Sequence, residues 1–299
     1  MNKIHIFTHR DFDGVVSYLT LCWCLGIKNI SYTPVNKSSN FRQDFIKWLS
    51  NNNVEDYDKI YILDLDVNQN KDIIDRHNFV IIDHHDSHEQ NGKYEKARAI
   101  VKGNYKSAAE LIYKAFKKID PNINMTDAQK KLILYASDYD SYTLQLPEST
   151  KLNIVFNKTS NNFDSFIKSF ETGYHGLTLQ QENMVKIYNS EVEHLKEISN
   201  IFTGKFNIQS KERKIFAIFA DNYINEMADF LLNEYKADIS IVVNTKNDRV
   251  SFRRNKELED IDLTILAGKL CEGGGHKYAA GGKITDDFMT FAKLLQQIR

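Results

Sequence analysis

The sequence predicts an α/β protein: an N-terminal domain built on a parallel sheet, a connector helix, and a smaller C-terminal α/β domain. Three observations predict it. Short apolar runs alternate with amphipathic stretches through the first half of the chain. One long helical pattern then interrupts the alternation, and a second set of strand and helix signals follows it. With 299 residues, the chain has enough length for two ordinary domains. We place them at 1–175 and 205–299, with the connector at 176–204.

In chain order, Ile4–Thr8 reads as a short buried strand, followed by a polar loop and an apolar helix from about Val15 to Leu25. Ile30–Val35 is β-like and Phe41–Leu49 a short amphipathic helix. Lys59–Leu63 and Phe79–Ile82 are core strands, and helices follow near Ser107–Lys118 and Thr126–Ala136. Strands separated by helices indicate βαβ units and a mainly parallel, helix-covered sheet. From Leu177 to Ile201, Met184, Ile187, Tyr188, Leu195 and Ile198 recur at helical steps, and Gly204 reads as the stop. Beyond it come a strand (Lys214–Ala220), a helix (Ile224–Tyr235), a strand (Asp238–Asn244), a turn at Lys246–Asp248 and a strand (Arg249–Arg253). A helix at Ile261–Leu270 then leads to the loop Gly273-Gly274-Gly275-His276.

Composition narrows the function. The chain is 42% hydrophobic and 26% charged, which excludes wholesale disorder. No apolar run approaches the roughly 18 residues that span a bilayer. The N-terminal apolar run meets His9-Arg10-Asp11 before a signal-peptide core forms, so the expectation is a cytoplasmic protein without a membrane partner. Thirty-nine basic residues face 40 acidic ones, a net charge of −1, which argues against gripping long duplex nucleic acid. Small anionic substrates need only a local patch, and the adjacent pair Arg253-Arg254 is one candidate. Cys22, Cys24 and Cys271 read as small buried hydrophobes.

The chemistry gathers where three strands end. Ile4–Thr8 delivers His9, Asp11 and Asp13; Lys59–Leu63 delivers Asp64 and Asp66; Phe79–Ile82 delivers Asp83, His84 and His85. Ligands of open parallel sheets bind beyond the carboxyl ends of the strands. A single loop aspartate is usually a cap or turn former, as we read Asp66, but three strands converging with the same residue types point to a site. Imidazoles with several carboxylates and no thiolate suit a divalent ion such as Mn²⁺. The ligands outnumber the needs of one ion, which suggests two sharing a carboxylate. Asp11, Asp13, Asp64 and one of Asp138 or Asp140 balance two dications. His77 and His88 flank the cluster and read as surface histidines. Further cations for substrate phosphates are available from Arg253, Arg254 and the backbone N–H groups of Gly273, Gly274 and Gly275.

These motifs resemble those of the DHH-family phosphoesterases with a C-terminal DHHA1 domain. The naming motif is Asp83-His84-His85; His9-Arg10-Asp11-Phe12-Asp13-Gly14 resembles the first motif, and Ile62-Leu63-Asp64 the second. The segment from Cys271 to Gly282 resembles the DHHA1 signature, and Val250-Ser251-Phe252-Arg253 the family's substrate-binding strand. The resemblance implies metal ligands at His9, Asp11, Asp13, Asp64 and His84, with His85 facing the phosphate and Asp83 steadying the motif from behind. It implies phosphate contacts from Arg253 and His276. The last metal carboxylate falls in Ser137-Asp138-Tyr139-Asp140-Ser141, a departure from the common Asp-Thr-Gly form; Asp138, directly after the predicted helix, is slightly favoured over Asp140.

The resulting expectation is a divalent-metal-dependent phosphoesterase cleaving short oligonucleotides or dinucleotides with a two-metal-activated hydroxide. Two Mn²⁺ are expected, with Mg²⁺ or Co²⁺ as substitutes. The alternatives are a phosphomonoesterase on pAp-like nucleotides and a nucleotide sensor without turnover. The sequence sets no oligomeric state.

Overall fold

The computed structural model describes residues 3–91, 93–159 and 163–298. The chain divides into two compact units, Met1–Val185 and Lys186–Arg299, the boundary falling inside a long helix.

The first unit is built on five parallel strands: β1 (Ile4–His9), β2 (Ser31–Val35), β3 (Lys59–Leu63), β4 (Phe79–Asp83) and β5 (Arg98–Val101). Their order across the sheet is β2-β1-β3-β4-β5. Helix α1 (Phe12–Leu25) starts at the Asp11 cap and ends on Gly26 in the left-handed conformation that glycine adopts without strain. Helices α2 (Phe41–Leu49), α3 (Lys71–Ile74) and α4 (Asp86–Asn91) connect the remaining strands. An all-helical segment then follows: α5 (Ala108–Ile119), α6 (Asp127–Asp140), α7 (Pro147–Lys158) and α8 (Phe163–Phe170). Phe7, Phe41, Phe45, Trp48, Ile60, Ile62 and Phe79 form an apolar cluster involving the sheet and α2, while α1 packs against α5 and α6. Because the chain leaves β1 for β2 on one side and reaches β3 on the other, a crevice opens where β1 and β3 end.

Two expectations about the middle of the chain change. Helix α9 runs Leu179–Ile198, and Gly204 does not stop it. Gly204 pairs with Ile215 inside a strand, where a Cβ would meet the Phe206 ring at 2.5 Å. The buried stripe of α9 is Gln181, Val185 and Val192; Ile187 and Ile198 of the expected stripe are exposed.

The second unit carries β6 (Ile201–Ile208), β7 (Lys211–Phe219), α10 (Ile224–Glu234), β8 (Ile239–Asn244), β9 (Arg249–Arg254) and α11 (Leu263–Cys271). It ends with β10 (Gly274–His276), β11 (Ala279–Lys283), α12 (Asp286–Ala292) and β12 (Gln296–Gln297). The sheet order is β10-β11-β9-β8-β7-β6-β12, with β7 and β8 parallel and the other pairs antiparallel. One face packs Ile239, Ile241, Val250 and Phe252 with α11 and Phe288 of α12; the other packs Phe216, Ile218 and Val242 with Met227 and Leu231 of α10. The glycine stretch is therefore not a free loop, since Gly274–His276 forms an antiparallel strand with Ala279–Gly281.

Candidate metal centre

The end of β1 shows why the first motif has its spacing. His9 is the last strand residue, and Asp11 caps α1 by accepting from the Gly14 N–H at 2.8 Å. The other Asp11 oxygen lies 2.6 Å from His9 Nδ1. A Cβ on Gly14 would meet the His9 carbonyl oxygen at 1.9 Å, so the helix approaches the strand this closely only with glycine there. In the first turn of α1, Asp13 is 2% exposed, and its carboxylate accepts from the N–H groups of Ala108 (2.7 Å) and Ala109 (3.2 Å). Those groups open α5, where the helix dipole favours an anion.

Asp64 follows β3 with φ at 57°, a left-handed backbone that costs an aspartate energy and is held by its N–H bond to the Ile82 carbonyl (3.0 Å). Its carboxylate lies between two imidazoles, 3.7 Å from His9 Nδ1 and 3.4 Å from His84 Nε2. Asp64 Oδ2 is buried and has no hydrogen-bond partner.

The DHH motif sits on the end of β4. His84 Nδ1 donates to the Tyr105 carbonyl (3.2 Å), which turns Nε2 to within 3.2 Å of Asp140, 3.4 Å of Asp64 and 3.8 Å of Asp13. His85 Nδ1 lies 2.7 Å from Asp83 Oδ1, and the Asp83 side chain is fully buried.

Asp138 is not in this cluster. Helix α6 does not end at Ala136 but continues to Asp140, so the two acids, about 200° apart around the axis, face different ways. Asp140 reaches His84. Asp138 accepts from the backbone N–H groups of Gln145 (3.0 Å) and Leu146 (3.1 Å) and from the Ser149 hydroxyl (2.6 Å), and so holds the 145–149 turn. His88 also departs from expectation: it is fully buried, 2.7 Å from Asp83 on one side and 2.7 Å from the Tyr94 hydroxyl on the other. Asp66, expected as a helix cap, instead accepts from the Asn68 N–H (3.1 Å) and the Ser87 hydroxyl (2.6 Å), and His77 is exposed.

The electrostatics follow from this crowding. Burial, with the charges of Asp64 and Asp140, pushes Asp13 well above the usual carboxylate range. Burial also raises Asp140, and the Asp64 charge adds to it against the opposing His84 hydrogen bond. Burial pushes Asp64 the same way, but the neighbouring imidazoles of His84 and His9 outweigh it and hold Asp64 low. Burial alone would depress His9 and His84; Asp11 instead lifts His9 to about 11, and Asp140 and Asp64 lift His84 to about 12. Carboxylates and imidazoles thus pair across the cluster.

Ligand atoms of Asp64, His84 and His85, of His9, Asp11 and Asp64, and of Asp13, His84 and Asp140 lie within 4.8 Å of one another in each group. Asp64 and His84 each belong to two groups. Oxygen and imidazole donors, with an orphaned carboxylate oxygen of Asp64 among them, fit hard divalent cations.

In the second unit, Arg253 donates to Asn225 Oδ1 (2.9 Å) on α10 and to the Phe252 carbonyl (2.9 Å). Arg254, the next residue of a pleated strand, leaves from the opposite face and donates to the carbonyls of Asn255 and Lys256. The adjacent arginines therefore do not form one patch. Gly273 and Gly275 are hemmed by backbone, whereas a Cβ on Gly274 would have nothing within 4 Å. The side chain of His276 lies outside the described part of the structure.

Comparison with known proteins agrees with the motif order. Residues 3–137 match the DHH family, N-terminal domain, and residues 214–298 match the DHHA1 domain, together well over half of the chain. The chain is a DHH-family protein with a C-terminal DHHA1 domain. Its fold is similar to that of the pGpG-specific phosphodiesterase PggH from Vibrio cholerae (TM-score 0.62, 14% identity, covering 97% of this chain and 96% of that one). It is also similar to an exopolyphosphatase-related protein from Bacteroides fragilis (TM-score 0.55, 13% identity, 98% and 91% covered). A third similar structure is RecJ from Thermus thermophilus in complex with Mn²⁺ (TM-score 0.54, 11% identity, 97% and 50% covered). No match was found among curated protein sequences. The family and its phosphodiesterase members are hydrolases of phosphate esters.

Proposed function

We propose that this chain is a divalent-metal-dependent phosphoesterase that hydrolyses phosphodiester bonds of short nucleotides. The observation that carries the reading is three overlapping groups of ligand atoms from His9, Asp11, Asp13, Asp64, His84, His85 and Asp140, sharing Asp64 and His84, with buried Asp64 Oδ2 unpartnered, at the switch point of a parallel sheet. In this reading His9, Asp11, Asp13, Asp64, His84 and Asp140 hold two Mn²⁺ or Mg²⁺ ions, with Asp64 shared. Bound there, the ions supply Lewis-acidic charge that activates water near neutral pH and offsets the charge of a phosphate.

The protein's own groups do the rest. His85 feels opposing effects, burial downward and Asp83 upward, and the outcome is a pKa of about 9. Its Nδ1 is tied to Asp83, which leaves Nε2 to face a phosphate oxygen. Within the second unit, Arg253 offers a cation to an anionic group, while the Gly273 N–H is already given to the Ala267 carbonyl (3.2 Å). The near-neutral net charge favours short substrates over long nucleic acid.

The test is product analysis of the purified protein in Mn²⁺ with pAp, pGpG, cyclic dinucleotides and di- to pentaribonucleotides, beside an EDTA control and Asp64→Ala. Cleavage of short diesters that both controls abolish is the expected result. Release of phosphate from pAp alone would make the chain a monoesterase. No product from any substrate, with metal bound, would favour a sensor.

A further inference from the structure

Asp83 is fully buried at the end of β4, and each of its oxygens is engaged. Oδ1 accepts from His85 Nδ1 at 2.7 Å and from the His84 N–H at 2.9 Å. Oδ2 accepts from His88 Nδ1 at 2.7 Å. A carboxylate only accepts, so both histidines give it an Nδ1–H. His88, also 0% exposed, has its other nitrogen 2.7 Å from the Tyr94 hydroxyl. The result is a chain of four side chains, Tyr94–His88–Asp83–His85, whose two middle members are shut off from solvent. His88 takes no part in the groups of metal-ligating atoms.

We infer that His88 is a positioning residue: it fixes the Asp83 carboxylate, and through it the ring of His85. The inference rests on the proposed role of His85 toward the phosphate. Asp83 stands on the last residue of a strand, and its carboxylate would be free to rotate about the terminal side-chain torsion without a second anchor. The His88 bond removes that freedom and satisfies an oxygen that would otherwise be buried and unpaired. Tyr94 in turn orients the His88 ring. His85 then presents Nε2 in one orientation, with Nδ1 committed to Asp83.

The test compares His88→Leu, which keeps bulk and loses the donor, with His88→Asn, which loses bulk but keeps a side-chain N–H near the Nδ1 position. With short-diester substrate and Mn²⁺, His88→Leu is expected to lower kcat about 10- to 100-fold with KM changed less than about 3-fold. His88→Asn should recover most of the loss. A residue that merely filled space would give the opposite ranking, Leu better than Asn. A kcat in His88→Leu equal to that of the native protein, or no advantage for Asn, would overturn the inference.

A second readout needs no turnover. In the metal-free protein the His85 Nδ1–H should give a slowly exchanging proton NMR resonance, retained in His88→Asn and lost in His88→Leu. If the native protein cleaves nothing, the proposed activity fails and this resonance alone decides the positioning role. If His88→Leu does not fold, Tyr94→Phe replaces it, with faster exchange of the same proton expected and unchanged exchange overturning the inference.

Discussion

Asp138 and Asp140 stand two residues apart on α6 and serve opposite sides of it: Asp140 approaches His84 Nε2 at 3.2 Å, while Asp138 holds the 145–149 turn through three hydrogen bonds. Their substitutions should therefore fail in different ways. Asp138→Ala leaves two backbone donors and the Ser149 hydroxyl without their acceptor and should cost about 2–4 kcal/mol, read by denaturant unfolding. Asp140→Asn removes a carboxylate that burial and the Asp64 charge disfavour, so metal-free stability should hold or rise while Mn²⁺ affinity, read by calorimetry, falls at least about tenfold. An interchange of these two phenotypes would reverse the assignment.

Metal should act as a stabilising ligand of the folded protein alone. Adding Mn²⁺ is expected to raise Tm in a concentration-dependent way, by about 2.7 kcal/mol of added stability at a hundredfold excess over Kd, and EDTA should remove the gain. In Asp64→Ala the Tm should not respond. An equal response in that variant would locate the ions elsewhere.

Two neighbouring glycines, Gly273 just before β10 and Gly274 at its start, separate folding from binding. A Cβ at Gly273 would sit 2.0 Å from the Gly281 carbonyl oxygen, so Gly273→Ala should destabilise the second unit by several kcal/mol. At Gly274 the same atom meets nothing within 4 Å, and Gly274→Ala should leave Tm almost unchanged. A rise in KM for that variant would mean that substrate occupies the open space; an unchanged KM would remove Gly274 from the binding surface.

His5 sets an acid limit on stability. It is 4% exposed, hydrogen-bonded to Ser31 and Thr33, and burial lowers its pKa from 6.5 to about 4. Between those values the unfolded chain binds a proton that the folded protein refuses, so stability is complete above pH 6.5 and falls as pH drops toward 4. The loss by pH 4.5 should be about 2–3 kcal/mol. Denaturant unfolding of the native protein and His5→Gln at pH 7 and 4.5 checks it: the variant should lose less by that amount.

Much of this was legible in the sequence because the motifs ride on unambiguous strands. A short, largely apolar strand leads into each of His9, Asp64 and Asp83, and strand ends on one edge must converge. The continuation of α6 was not legible, since Ser137-Asp138-Tyr139-Asp140 is poor in helix formers and reads as a loop. It stays helical because buried Ser137 bonds across to Ser107 and because Asp138 gathers the following turn. The burial of His88 carried no local signal, as its partners Asp83 and Tyr94 meet it only through the fold. The place of Gly204 carries no local signal either: sheet pairing with β7 overrides a glycine that reads as a helix stop.

The most direct test of the metal centre is anomalous diffraction from crystals soaked in Mn²⁺. Two peaks are predicted, bounded by His9, Asp11, Asp13, Asp64, His84 and Asp140, with Asp64 touching both. No peak at this cluster, or a peak ligated by Asp138 in place of Asp140, would contradict the account.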